Sequence, residues 1–171
     1  MLDAVRNRRS IRHFQDRPVE PEKIELLQEA MLRAPSSRNL KPWRFVFVTH
    51  AESLAALAHV RPQYAESIGR APLGVAICAD ASVSDCWIED ASIAAATLQL
   101  AAADSGLGSC WIQIRARQHE DGLPAQDHVR EILGLPEELS VLCLIAVGYP
   151  AEEKAPKARE SLSWDKVEVK E

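Results

Sequence analysis

A layered domain of helices and strands is predicted by three features of the sequence. Four apolar runs, Arg44 to Thr49, Leu73 to Ala79, Ser109 to Ile114 and Val141 to Val147, have the length and content of buried strands. Helical patterns with one apolar face separate them. The longest of these, Cys86 to Asp104, is rich in alanine. Pattern alone fits several ways of layering such elements.

In chain order, Leu2 to Arg6 reads as a short helix with Leu2 and Val5 turned inward. Pro18 to Pro21 form a turn, and Pro21 suits the first position of a helix because its missing N–H would be unpaired there anyway. Ile24, Leu27, Met31 and Ala34 then recur every three or four residues, opposite Glu22, Glu25, Gln28 and Glu29, until Pro35 stops the helix. Ser36, Ser37 and Asn39 place donors on the loop that follows. Beyond the first strand, Ala51 to His59 is a helix with Leu54, Leu57 and Ala58 inside. Arg61 to Tyr64 opens another short helix, with Gly69 as its C-terminal cap, and Pro72 precedes the second strand.

The Cys86–Asp104 segment is apolar nearly all round, which predicts a buried central helix. Gly106-Leu107-Gly108 ends it and leads into the third strand. This is no dinucleotide fingerprint, because its G-x-G follows a helix and precedes a strand, the reverse of the order that aims a helix N-terminus at a pyrophosphate. Arg115 to Pro124 is a polar loop, Ala125 to Leu133 a helix closed by Gly134, and Gly148-Tyr149-Pro150 breaks the fourth strand. The tail from Ala151 is charged, and alternation of Val167 and Val169 predicts a short strand with no obvious partner in its own chain.

With 171 residues the chain fits one domain, residues 1–171, with 151–171 as a C-terminal extension. Its hydrophobic content of 47% argues against disorder. A formal charge of −5 argues against nonspecific binding to nucleic acid or an anionic membrane, so basic clusters must be local sites. Cys78, Cys86, Cys110 and Cys143 form no C-x-x-C pair and read as reduced thiols. The five histidines show no zinc-type spacing, and no metal is expected. Neither a signal peptide nor an apolar span is visible, so a cytoplasmic location is expected.

Asn7-Arg8-Arg9-Ser10-Ile11-Arg12 concentrates three guanidinium groups and a hydroxyl in six residues of an acidic protein. Guanidinium forks match phosphate oxygens bidentately and stay charged, so the run suits a phosphorylated ligand. The same residues would also serve as the solvated basic end of a helix, where cations favour the dipole.

Arg8-Arg9-Ser10-Ile11-Arg12 resembles the N-terminal flavin motif of the nitroreductase family, the FMN-dependent NAD(P)H oxidoreductases. Ala34-Pro35-Ser36-Ser37-Arg38-Asn39-Leu40-Lys41-Pro42-Trp43-Arg44-Phe45 is similar to a second family segment, departing at Lys41 where glutamine is usual. Gly106 to Ile112 and Ala146 to Pro150 extend the resemblance over nearly the whole chain. It implies an α+β fold with a mixed central β-sheet flanked by helices, and a homodimer whose C-terminal tails reach the partner subunit, with flavin sites at the interface.

The resemblance further implies that Arg8, Arg9 and Ser10 hold the phosphate and ribityl of FMN, with Arg12 as electrostatic tuner at the pyrimidine edge. Pro35, Ser36, Ser37 and Asn39 would approach from the partner, and Gln63, Trp111, Ile112 and Gln113 would lie near the ring. Lys157 or Arg159 would supply a further phosphate contact. Where the family often has glycine after Cys110-Trp111-Ile112, this chain has Gln113-Ile114-Arg115, which would narrow the substrate space. No covalent nucleophile is expected. The implied activity is ping-pong transfer of hydride from NADH or NADPH to nitroaromatic, quinone or similar electron-poor acceptors. A flavin-binding protein without turnover and a flavin-fragmenting enzyme are the alternatives.

Overall fold

The computed structural model describes residues 2–170. In chain order it comprises α1 (Leu2–Asn7), α2 (Pro21–Leu32), β1 (Trp43–Val48), α3 (Ala51–His59), α4 (Glu66–Gly69) and β2 (Leu73–Asp80). There follow α5 (Trp87–Asp104), β3 (Gly108–Gln113), α6 (Ala125–Leu133) and β4 (Leu139–Gly148). Pro21 opens α2 as its first residue, and Gly134 caps α6 with the left-handed φ of 60° that a residue without Cβ adopts freely.

The four strands form one sheet in the order β1-β2-β4-β3, every pair antiparallel. The α+β class is thus borne out, and the expected parallel component of the sheet is confined to a single bridge, Ser10 with Ser109. Helices cover both faces. Leu73, Val75, Ile77 and Ala79 of β2 point to the side of α2 and α5, among Leu27, Met31, Ala91 and Leu98. Ala76 and Cys78 point the other way, among Leu54, Leu57, Ile68 and Val129 of α3, α4 and α6. A strand buried on both faces loses its polar alternation, which is why β2 and β4 read as continuous apolar runs.

Five expectations need correcting. Leu2 and Val5 are 59% and 51% exposed, and it is Ala4 that is buried, because α1 meets α5 through its smallest side chain. The first strand is an edge strand and only partly buried, since among the described residues β2 alone pairs with it. Arg61 to Tyr64 is a turn, and α4 starts at Glu66. Gly69 is no left-handed cap: it makes room for α3, where a Cβ would stand 2.9 Å from that of Ala58. Residues 167–170 form no strand in the isolated chain, although Val167 is extended.

Candidate flavin-type site

The basic run leaves α1 and lies alongside the outer edge of β3. Ile11 N–H donates to Ser109 O at 3.0 Å, and a Cβ on Gly108 would come within 2.8 Å of Ile11, so the close approach depends on that glycine. Beyond this bridge no strand pairs with the outer edge of β3 among the described residues. Arg8, Arg9, Ser10 and Arg12 thereby line one wall of a cleft of about 1170 Å³.

The opposite wall is the chain's C-terminal segment. Lys154, Lys157 and Arg159 face the cleft together with the apolar Leu162 and Trp164. This segment is fastened by Glu152, whose Oε1 accepts Arg12 N–H at 2.6 Å and His13 N–H at 3.3 Å. Lys154 Nζ donates to the same oxygen at 3.0 Å and to Ser10 O at 2.8 Å, and the Arg9 guanidinium donates to Ala155 O. The Arg12 N–H, followed by Lys154, holds the Glu152 carboxyl down at about 2. Its permanent charge is spent on the backbone of the basic run.

Every charged residue lining the cleft is a cation, and Arg8, Arg12, Lys157 and Arg159 have no carboxylate partner among the described residues. Unneutralised guanidinium and ammonium groups converging beside apolar side chains are the donor set that a dianionic phosphate on a flat ring system requires. The residues present fit FMN.

The other expected site residues lie elsewhere on the chain. Pro35, Ser36, Ser37 and Asn39 form the turn after α2, where Ser36 Oγ accepts Lys41 N–H at 3.0 Å and Arg38, Asn39 and Lys41 adopt positive φ. Ser37 N–H donates at 2.7 Å to Asp90, a buried carboxylate in the first turn of α5 that also accepts from Ser84 Oγ. None of these four lines the basic cleft of its own chain. Gln63 is exposed with φ of 69°.

Trp111, Ile112 and Gln113 end β3. The Gln113 side chain is tied at both ends, accepting from Trp111 Nε1 at 3.0 Å and donating to Arg115 O at 2.9 Å, while its backbone carbonyl accepts from Arg61 at 3.2 Å. Three residues escaped the sequence reading: Lys154, Glu152 and Asp90. A trace of the first two existed in the charges directly after Gly148-Tyr149-Pro150, but nothing local says which strand they meet.

Comparison with known proteins agrees with this geometry. The model of the nitroreductase family matches residues 5–71 and 61–149. An FMN-dependent nitroreductase from Clostridium difficile R20291 superposes with a TM-score of 0.96 at 42% identity, over 100% of this chain and 99% of that one. A relative from Methanothermobacter thermautotrophicus, named for NADH dehydrogenase/NAD(P)H nitroreductase activity, is 33% identical over 99% of this chain and 86% of its own length. A 5,6-dimethylbenzimidazole synthase from Rhodospirillum rubrum is 28% identical over 95% of this chain and 88% of its own.

Proposed function

The chain belongs to the nitroreductase family, and from that premise we propose that it is an FMN-dependent enzyme. It takes hydride from NAD(P)H and passes it by a ping-pong mechanism to nitroaromatic, quinone or similar electron-poor acceptors. The observation that carries the reading is the cleft with a wholly cationic charged lining in an acidic protein. Bound FMN would supply hydride transfer between donor and acceptor, while the protein supplies binding, orientation and electrostatics.

In this reading Arg8, Arg9 and Ser10 hold phosphate and ribityl from the β3 side, and Lys154, Lys157 and Arg159 close on them from the tail. Arg12, its backbone fixed by Glu152, presents a preorganised charge where negative charge develops on the pyrimidine edge. The open edge of β3 at Trp111 to Gln113 offers backbone donors to the ring. The Gln113 amide, locked between Trp111 and Arg115, fills space that glycine would leave and restricts acceptors to flat ones.

Pro35, Ser36, Ser37 and Asn39 reach such a site only from a second copy, which makes the working form a homodimer with flavin at the interface. Leu2, Val5, Ile93, Trp164, Val167 and Val169 are all at least 42% exposed, apolar side chains that such a copy would cover. No helix among the described residues is long and apolar enough to cross a membrane, and a cytoplasmic location is part of the same proposal.

The test is a visible spectrum of the purified protein with released flavin quantified, followed by NADH and NADPH oxidation with and without a nitroaromatic. About one FMN per chain and acceptor-dependent oxidation are expected. A colourless protein that takes up no added FMN overturns the reading. Flavin that NAD(P)H fails to reduce would instead mark a carrier without turnover. The similarity to a dimethylbenzimidazole synthase favours a second reading, flavin fragmentation, which rapid bleaching of reduced flavin in air would reveal.

A further inference from the structure

The loop from β3 to α6, which takes no part in the basic cleft, brings two histidines and a carboxylate together. His119 Nδ1 lies 3.0 Å from Asp121 Oδ1, and His128 Nε2 lies 3.0 Å from Asp121 Oδ2. The imidazole rings are tilted by 42° with centroids 4.1 Å apart. One donor atom from each of the three residues lies within 4.8 Å of the other two.

Two groups compete for one imidazole nitrogen in this cluster. The Asp121 backbone N–H donates to His119 Nδ1 at 3.3 Å, which requires a lone pair on that nitrogen. Its 3.0 Å approach to the Asp121 carboxylate requires a proton on the same nitrogen. His128 Nε2 is buried without an aligned hydrogen-bond partner. In the tautomers that turn lone pairs toward the carboxylate, a cation held between them would be bound by all three groups.

The cluster is also built in advance. His119 N–H donates to Leu123 O and Gly122 N–H to His119 O, while Leu123 N–H donates to Asp121 Oδ1 at 2.9 Å. His128 is carried by α6, whose neighbouring Val129 is fully buried in the core. Loop and helix therefore each hold their donors in place before any ligand arrives.

We propose that His119, Asp121 and His128 form a binding site for a divalent transition metal of the zinc class. Two imidazoles and a carboxylate suit Zn²⁺, Co²⁺ or Ni²⁺, whereas Mg²⁺ and Ca²⁺ demand oxygen ligands throughout. A tetrahedral ion with bonds of about 2.0–2.2 Å holds its ligand atoms roughly 3.3–3.6 Å apart, so small side-chain rotations from the present geometry suffice. Three protein ligands leave one position for water. The bound ion would clip the loop that follows Gln113 onto α6, a structural role that involves no electron transfer. The H-x-D-x₆-H spacing matches no common zinc motif, and the sequence reading accordingly expected no metal.

The purified full-length protein, stripped with a chelator, is dialysed against Zn²⁺, Co²⁺ or Mg²⁺ alone, and bound metal and thermal midpoint are measured. His119→Gln and His128→Gln are treated in parallel, with flavin content and circular dichroism as the check on folding. Wild type should hold close to one Zn²⁺ or Co²⁺ per chain and unfold at a higher temperature with it, Mg²⁺ having no effect. Each variant, folded and with unchanged flavin content, should bind at least about tenfold more weakly. Absence of stoichiometric binding by wild type, or equal binding by the folded variants, overturns the proposal.

Discussion

Neutralising Glu152 tests how the C-terminal segment is fastened to the basic run. Its Oε1 accepts Arg12 N–H at 2.6 Å, His13 N–H at 3.3 Å and Lys154 Nζ at 3.0 Å. Glu152→Gln keeps an oxygen acceptor but removes the charge. A hydrogen bond to a charged group contributes about 1.5–3 kcal/mol against about 0.5–1.5 for a neutral pair. The Lys154 pair, at the rim of the cleft, adds at most about 1 kcal/mol.

The substitution should therefore cost about 1–2 kcal/mol at pH 7, lowering the thermal midpoint by roughly 2–8 °C for a chain of this size. Glu152→Ala also removes the acceptor and should cost about 2–3 kcal/mol. The pH dependence has a definite sign. The carboxyl is lowered from 4.5 to about 2 in the folded protein, chiefly by the Arg12 N–H. The stabilisation is complete above the unfolded value and is lost as pH falls from about 4.5 towards the folded value. Urea midpoints measured from pH 7 downward should show wild type and Glu152→Gln converging below pH 4.5. Equal midpoints at pH 7, or a gap that widens on acidification, would refute the reasoning.

Arg8→Ala and Arg12→Ala should each weaken FMN binding by about 10–100-fold, as loss of a charge-assisted hydrogen bond does. In a fluorescence titration, Arg8→Ala should leave the affinity for riboflavin, which lacks the phosphate, nearly unchanged. Gly108→Ala sets a Cβ 2.8 Å from Ile11 Cβ and Cγ1. It should cost about 1–3 kcal/mol in urea unfolding and weaken FMN binding by displacing Ser10 and Arg12; no change in either quantity would mean that Ile11 yields freely. Burial pushes the Cys78 thiol up to about 12 and holds that of Cys143 well above its ordinary value, whereas Cys86 is half-buried. An aromatic disulfide reagent at pH 8 should therefore modify Cys86 quickly and reach Cys78 and Cys143 only on unfolding, and Cys86→Ser should abolish the fast phase.

The features legible in the sequence were those decided within a few residues of chain. Pro21 at the start of α2, Gly134 at the end of α6 and the three- to four-residue recurrence of Leu27 and Met31 are local consequences of backbone geometry and helical period. The basic run was equally legible, since its chemistry depends only on composition. What the run would meet was not. Lys154 and Glu152 make contacts 144 and 140 positions away and reach the run only because β4 ends next to the start of β3.

Short-range signals also misled where a longer-range contact decided the outcome. Leu2 and Val5 are apolar and suited to an inner face, yet α1 meets α5 through Ala4 and turns both of them outward. Gly69 reads as a cap, but its role is to admit Ala58. By itself, then, the sequence determined most of the helices and strands and the presence of a basic run, because propensity, period and charge are carried by neighbouring residues. Only the tertiary structure decided the antiparallel order β1-β2-β4-β3, the cleft closed by the tail and the meeting of His119, Asp121 and His128. Those depend on which distant surfaces are buried together, and burial is a property of the packed chain as a whole.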